Sequence, residues 1–205
     1  LTVSSLDNVS LGSNTMTVSR TVTNNGEIST SSGKLLLNGT LKQIVTGTNG
    51  AQFGKTEFAN NLGFDLQRSF VFNGDVVLTT GIIDLLANRM YLGQNAVFQG
   101  TGLGTTKYIK VNGALTDAGI TKNFAAGAAT ILIPVGVNPS IGVVKYTPAY
   151  FNIQQNTAVS SSITLRAIND KHPNTLSSNN SELRYYWKVD STGFANLQAN
   201  MTFNY

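Results

Sequence analysis

The stretch Phe72-Asn73-Gly74-Asp75-Val76-Val77-Leu78-Thr79-Thr80-Gly81-Ile82-Ile83-Asp84 decides the fold of this chain. Its apolar residues alternate within short triplets, and single glycines separate one triplet from the next. Alternation with a period of two indicates a strand with one face turned inward, and glycine tolerates the positive φ that a sharp corner demands. Inward-facing residues that are separated by single-residue corners are more typical of a chain that winds in one direction than of a series of β-hairpins.

Similar triplets recur on both sides of this stretch, and those that begin at Phe70 and Met90 lie about twenty residues apart, as in one solenoid coil. Stacked copies of such a unit bury a continuous core that no copy could bury alone. An antiparallel meander is the alternative. The pattern favours a parallel β-solenoid (β-helix) over residues 1–104. The other triplets include Leu1-Thr2-Val3, Val9-Ser10-Leu11, Met16-Thr17-Val18 and Leu35-Leu36-Leu37.

Beyond residue 104 the spacing of the strands changes. Asn112-Gly113 between two short apolar runs is a hairpin signal, and longer alternating strands follow at intervals typical of a β-sandwich. The sequence therefore predicts an all-β chain in which residues 105–205 form a cap and a sandwich, with the boundary near residue 104 or nearer residue 145. The predicted strands are Lys145–Ile153, Ser161–Ile168, Leu183–Val189 and Leu197–Tyr205.

Composition excludes several classes of function. The 14 Lys and Arg residues exceed the 10 Asp and Glu residues by four, but they are scattered, whereas a nucleic-acid binder clusters its cations. The chain has no cysteine, which excludes disulfides and thiolate metal sites. No apolar run is long enough for a membrane helix, so no membrane insertion is expected. The start at Leu1, without a signal-like segment, predicts a mature product or an excised piece.

No catalytic, cofactor or metal site is predicted. His172 is the only histidine, and no Gly-x-Ser-x-Gly motif accompanies it. Asp75 and Asp84 are expected at neighbouring corners of the solenoid, where with Arg89 they are candidate carbohydrate contacts or simply solvated residues. In the alternating segment 184–189, Trp187 is expected in the core, whereas Tyr186 faces the other way and is a candidate for stacking on a sugar.

Several segments together resemble a known family. GDVVLTTGIIDLLANRMYLG (74–93), TTKYIKVNGALTDAGITKNF (105–124), ILIPVG (131–136) and KYTPAYFNI (145–153) resemble a region of large Bacteroidota surface proteins that the type 9 secretion system exports. ITLRAINDKHPNTL (163–176) and ELRYYWKVDSTG (182–193) resemble the immunoglobulin-like module that follows it. Asp190-Ser191-Thr192 is similar to the short O-glycosylation motif of such proteins, which implies modification at Ser191.

The resemblance implies an extracellular protein at the cell surface, with the secretion machinery and other surface proteins as partners of the parent chain, and glycans as further candidate partners. The predicted function is a non-catalytic structural or adhesive segment that acts as a stiff spacer. One alternative is a β-helix that binds or cleaves polysaccharides, and another is a segment of a viral or phage fibre. The last strand could also pair with a partner by strand addition.

Overall fold

The computed structural model describes residues 1–140, 143–174 and 184–204, and within these ranges its regular elements are β-strands, with no helix. The first fifteen strands form about five coils of three strands each. They are β1 Thr2–Val3, β2 Asn8–Ser10, β3 Thr15–Val18, β4 Val22–Asn24, β5 Glu27–Ser29, β6 Lys34–Leu37, β7 Gln43–Gly47, β8 Gln52–Phe53, β9 Thr56–Ala59, β10 Phe64–Leu66, β11 Phe70–Phe72, β12 Val76–Thr80, β13 Ile83–Asp84, β14 Arg89–Leu92 and β15 Phe98–Gln99.

Each strand of one coil pairs in parallel with the equivalent strand of the next coil. The first sheet runs β1-β4-β7-β10-β13, the second β2-β5-β8-β11-β14, and the third β3-β6-β9-β12-β15. Within β11, for example, Phe70, Val71 and Phe72 stand opposite Met90, Tyr91 and Leu92 of β14. The parallel β-solenoid is confirmed, and the antiparallel meander is not formed in this part of the chain.

A column of apolar side chains fills the interior and passes from coil to coil. In the second sheet Ile28, Phe53, Phe72 and Leu92 occupy the same inward position, and each is at most 1% exposed. The rings of Phe53 and Phe72 stack with their centroids 5.2 Å apart. Because aromatic pairs of this kind add to the free energy gained by burial, the stack couples neighbouring coils.

Buried amide side chains tie the corners of successive coils together. Gln43 is 2% exposed, and its Nε2 donates to the backbone carbonyls of Val18 and Arg20 at 2.9 and 3.1 Å, while its Oε1 accepts from the Gly39 amide. Asn60, 1% exposed, donates to the Leu41 carbonyl at 2.6 Å. These amides supply partners for backbone groups that the corners take out of the sheet pattern.

The remaining strands extend two of the three sheets. The first sheet continues through β16, β19 and β20, and the second through β17, β22 and β23, while β18, β21 and β24 form a separate antiparallel sheet. These strands are β16 Ile109–Val111, β17 Gly119–Phe124, β18 Ala129–Ile133, β19 Val135–Ser140, β20 Val143–Tyr146, β21 Ala149–Gln155, β22 Ser161–Ile168, β23 Tyr186–Thr192 and β24 Gln198–Phe203.

This arrangement does not confirm an immunoglobulin-like sandwich in residues 105–205, because the separate sheet has only three strands and the others extend the solenoid's own sheets. The predicted strand Ser161–Ile168 is present as β22. The predicted strand Lys145–Ile153 is divided at Thr147-Pro148, since proline cannot donate a hydrogen bond within a sheet. Leu183 and Tyr205 of the predicted strands lie outside the described residues.

Lys122 caps the interior where the third sheet ends. It follows Leu92 in the inward column and is 3% exposed, and its ammonium donates to the carbonyls of Gly93, Gln94 and Ala96, each at 2.7 Å. Burial lowers the pKa of Lys122 to about 8, and the negative charge of Asp75 opposes that shift. The ammonium thus supplies donors to three carbonyls of the last corner before β15.

Candidate functional site

Two carboxylates lie side by side on the outer face of the first sheet. Asp65 of β10 and Asp84 of β13 are register partners on adjacent coils, and the next residue in the same column is Lys110 of β16. Residues one coil apart in a parallel sheet are separated by about 4.8 Å, so the two carboxylates are neighbours, with Asp65 partly exposed and Asp84 buried. The inward neighbours Phe64 and Ile83 are fully buried and hold both strands in this register.

A lysine neutralises each carboxylate. Lys42 Nζ lies 2.5 Å from Asp65 Oδ1, and Lys110 Nζ lies 2.6 Å from Asp84 Oδ2. The Asp65 side chain is 23% exposed and that of Asp84 only 9%. Asp84 Oδ1 also accepts from the Leu86 amide at 2.9 Å, which fixes the carboxylate to the following turn. We call Lys42, Asp65, Asp84 and Lys110 the Asp–Lys cluster.

Tyr108 adds a buried phenol to the surroundings of this cluster. Its side chain is 0% exposed, its ring meets that of Tyr146 edge-on at 6.2 Å, and its hydroxyl has no hydrogen-bond partner in the described part of the chain. Burial raises the pKa of Tyr108 to about 12, and the nearby negative charge of Asp84 contributes to the rise. The neutral phenol is the form that this environment stabilises.

The geometry of the Asp–Lys cluster suits linkage between coils better than chemistry on a substrate. Glycoside cleavage by paired carboxylates requires an acid and a second carboxylate that both reach the scissile bond. Here both carboxylates already bind ammonium groups from other strands or corners of the solenoid. Across the described ranges no group of three or more His, Cys, Asp or Glu side chains could hold a metal ion.

Asp75 lies elsewhere, at the corner between the second and third sheets. Its Oδ1 accepts from the Val97 amide at 3.1 Å and its Oδ2 accepts from Gln99 Nε2 at 2.6 Å. It lines an open polar groove that does not include Asp84, which lines a depression beside the Asp–Lys cluster. The structure therefore does not bring Asp75 and Asp84 together.

Arg89 joins neither carboxylate in the described contacts. Its Nε donates to the Ala118 carbonyl at 3.0 Å, and its guanidinium lies 5.5 Å from the centre of the Tyr91 ring. The sequence pattern did not indicate Lys42 or Lys110 of the Asp–Lys cluster, nor Asp65. Its separation of 19 residues from Asp84, close to one coil, was the available signal. Asp75 is only nine residues from Asp84, less than half of one coil, and so falls on a different side of the solenoid.

The candidate aromatic residues lie on β23, at the edge of the second sheet. Tyr186 is half-buried, and its ring meets the ring of His172 edge-on at 4.9 Å. Trp187 donates from Nε1 to the Thr147 carbonyl at 2.9 Å, and its ring lies 5.0 Å from that of Phe203 on β24. Trp187 is thus partly buried and packs against the core between two sheets, and Tyr186 is buried to a similar degree against His172.

Ser191, the residue in the O-glycosylation motif, is exposed on β23. The neighbouring Asp190 forms ion pairs with Arg166 and Lys188. His172 is exposed and its Nδ1 accepts from the Asn174 amide at 3.2 Å, a local turn contact. Ser191 is thus accessible to solvent on β23.

No segment of the described chain forms a helix of the length and apolarity that would cross a membrane. Comparisons with protein-family models, with curated proteins and with solved structures find no match to this chain.

Proposed function

We propose that this chain is a non-catalytic structural segment of a large secreted bacterial cell-surface protein and acts as a rigid stalk or spacer. The observation that supports the proposal is the continuity of the interior. Three parallel sheets enclose one apolar core that extends through about five coils, and Phe53, Phe72 and Leu92 follow one another within it. Such a body transmits force through its backbone hydrogen bonds and needs no binding cleft.

Cross-coil contacts outside the core support the same role. The ion pair between Lys34 and Glu57, at 2.5 Å, joins the second and third coils on the third sheet, and Thr79 of the fourth coil donates to the same carboxylate at 2.7 Å. The Lys34 ammonium, followed by the hydrogen bond from Thr79, lowers the pKa of Glu57, although burial acts against them. Charged residues here connect coils to one another.

We also propose that residues 105–205 form an immunoglobulin-like module that joins the solenoid to a following part of the parent protein. Two observations support it: the antiparallel pairing of β21 with β18 and β24, and the contact of Trp187 on β23 with Phe203 on β24. A tryptophan that packs between two sheets is typical of sandwiches. The boundary near residue 104, or nearer residue 145, remains a prediction.

Export by the type 9 secretion system and display at the cell surface are proposals that rest on the resemblance of the quoted segments. Antibodies raised against this chain should label intact cells of the organism that produces it. The label should disappear from the surface when the secretion machinery is inactivated, while the protein remains detectable in lysed cells. Labelling that requires permeabilised cells in both strains would contradict the proposal.

A carbohydrate-binding function is the second candidate, and the polar groove that contains Asp75 favours it. Hydroxyl, amide and charged groups from successive coils line this groove, among them Glu27, Ser29, Lys55 and Asn73. A glycan array with the whole chain and with Asp75→Ala would test it, with Asp84→Ala as the control outside the groove. Binding that is lost only in Asp75→Ala would support a glycan site, and release of shortened glycans would overturn the non-catalytic proposal.

A further inference from the structure

A recess lies on the outer face of the second sheet, in the middle of the solenoid. Val71 of β11 and Tyr91 of β14 line it, and the two residues are register partners on adjacent strands. Asn49 and Ser69 line it from the corners before β8 and β11, and Asn123 lines it from β17. We call it the Tyr91 recess. It shares no lining residue with the polar groove or with the depression beside the Asp–Lys cluster.

Neighbouring contacts hold the side chains of this recess in place. The Arg89 guanidinium lies 5.5 Å from the centre of the Tyr91 ring, and Arg89 Nε donates to the Ala118 carbonyl at 3.0 Å. The Arg89 amide donates to Ser69 Oγ at 2.9 Å, and the Ser69 amide donates to Asn49 Oδ1 at 3.0 Å. Because these contacts exist before a ligand arrives, a ligand would lose little affinity to the ordering of the site.

Several polar groups of the Tyr91 recess remain available to a ligand. Within the described part of the chain, the Tyr91 hydroxyl and the Asn123 side-chain amide form no hydrogen bond, although both residues are half-buried. Asn49 and Ser69 use only their side-chain oxygens, as acceptors, so their side-chain hydrogens stay free in the described chain. Successive coils therefore present donors and acceptors around one recess.

The lining of the recess indicates an uncharged ligand that has both apolar and hydroxyl groups. No charged residue of the described chain lines it. An ionised ligand would lose water there without meeting an opposite charge among the lining residues. Val71 and the ring of Tyr91 offer an apolar surface, and the amides and hydroxyls around them offer hydrogen bonds. A sugar ring matches this combination, since its faces carry C–H groups and its edge carries hydroxyls.

We propose that the Tyr91 recess binds an uncharged sugar unit of a polysaccharide. The sugar ring packs against Tyr91 and Val71, and its hydroxyls bond to the side chains of Asn49, Ser69 and Asn123. The site lies on the side of the solenoid, so the segment would hold a glycan laterally. The inference is independent of the spacer role, which uses the apolar interior, and of the carbohydrate candidate, which uses the polar groove.

The first experiment measures sugar binding by the whole chain on an array of neutral and acidic glycans. Isothermal titration then gives affinities for cellohexaose, maltohexaose and mannohexaose, with hexagalacturonate as the acidic probe. The unmodified chain is expected to bind a neutral glycan and to prefer it to acidic ones. Tyr91→Ala should weaken that binding at least about tenfold. Tyr150→Ala removes a ring that is 41% exposed on β21, and should bind as the unmodified chain does.

The second experiment uses variants that keep the aromatic surface. Asn123→Ala removes one free amide and should weaken binding of the same neutral glycan about fivefold. Tyr91→Phe keeps the ring, removes only the hydroxyl and should weaken binding about threefold. Both changes lie on the outer face of the sheet, so they test the site even if Tyr91→Ala does not fold. Circular dichroism spectra that match the unmodified chain would show that a variant is folded.

Three results would overturn the proposal. The chain could bind no neutral glycan, which would also remove the carbohydrate candidate but leave the spacer role intact. It could bind acidic glycans more tightly than their neutral counterparts. Binding could also persist in folded Tyr91→Ala and be lost in Asp75→Ala, which would place the sugar in the polar groove instead.

Discussion

The Tyr108 hydroxyl is a buried polar group without a hydrogen bond to the described chain, although the ring around it is well packed. Tyr108→Phe removes the hydroxyl and keeps the ring. Because burying an unpaired hydroxyl costs free energy, the variant should raise the free energy of unfolding by about 1 kcal/mol. Urea denaturation at neutral pH measures the change, and Tyr91→Phe, on the outer face, is a control that should leave it unaltered.

The same residue predicts a dependence of stability on pH. The pKa of Tyr108 is about 12 in the folded chain, above its ordinary value of 10.0. Because folding raises this pKa, the contribution of the neutral phenol to the free energy of unfolding is complete below pH 10. It is lost as the pH rises through 12, because the phenol of the unfolded chain releases its proton first. Over this range the native chain should lose up to about 3 kcal/mol relative to Tyr108→Phe. Parallel stability curves for the two proteins would contradict the assignment.

Lys122 should be a strong determinant of stability. Lys122→Met retains most of the side-chain volume but leaves the carbonyls of Gly93, Gln94 and Ala96 without their donor. The free energy of unfolding should fall by about 3 kcal/mol, since removing one partner of a buried charge-assisted contact is costly. Lys34→Met removes a partly exposed ion pair instead and should cost no more than about 1 kcal/mol. Equal losses in the two variants would contradict the capping role of Lys122.

At the scale of the structural element, corners depend on a few glycines. Gly47 has a φ of +139°, and a Cβ atom there would lie 1.8 Å from the Asn24 carbonyl oxygen. Gly50, near the same corner, also has a positive φ (+84°) but no atom within 4 Å of an added Cβ. Gly47→Ala should therefore destabilise the chain by more than 3 kcal/mol, and Gly50→Ala by about 1 kcal/mol, in thermal denaturation.

The sequence was informative about elements because each inward residue of a coil obeys a simple period. The triplets at Phe70 and Met90 are register partners, as their twenty-residue separation indicated. The Asp–Lys cluster was harder to find, because it depends on which residues of successive coils share a column. Coils differ in length: Phe72 is 19 residues after Phe53, whereas Phe53 is 25 residues after Ile28, so corner residues cannot be aligned by counting alone.

The end of the solenoid was less predictable still. Longer alternating strands such as β22 look the same in sequence whether they form a new sandwich or extend an existing sheet. What joins β22 to the solenoid is its antiparallel register with β17, in which Ile120 meets Leu165 and Thr121 meets Thr164. Those pairings join residues more than forty positions apart, and no local pattern encodes them. The cap formed by Lys122 was hard to predict for the same reason, because the carbonyls that it contacts lie 26 to 29 residues earlier in the chain.

For the whole molecule, shared sheets predict that the chain unfolds as one unit. Phe72→Ala in the fourth coil should cost about 4 kcal/mol, because it leaves a cavity in the aromatic stack. Trp187, the single tryptophan, lies beyond the solenoid on β23 of the same sheet. In Phe72→Ala, the urea midpoint measured by Trp187 fluorescence should shift as far as the midpoint measured by circular dichroism. A tryptophan transition that Phe72→Ala leaves in place would mean that the two parts unfold independently.

The corner contacts have a consequence for how such a protein could change over time. Gln43 and Asn60 donate to backbone carbonyls that lie 19 to 25 residues earlier in the chain, about one turn of the solenoid, so these contacts connect only neighbouring turns. Duplicating one layer of about twenty residues would leave both termini chemically intact and would lengthen the molecule by about 4.8 Å. Duplication of one layer in the gene would therefore change the length of the molecule in fixed steps.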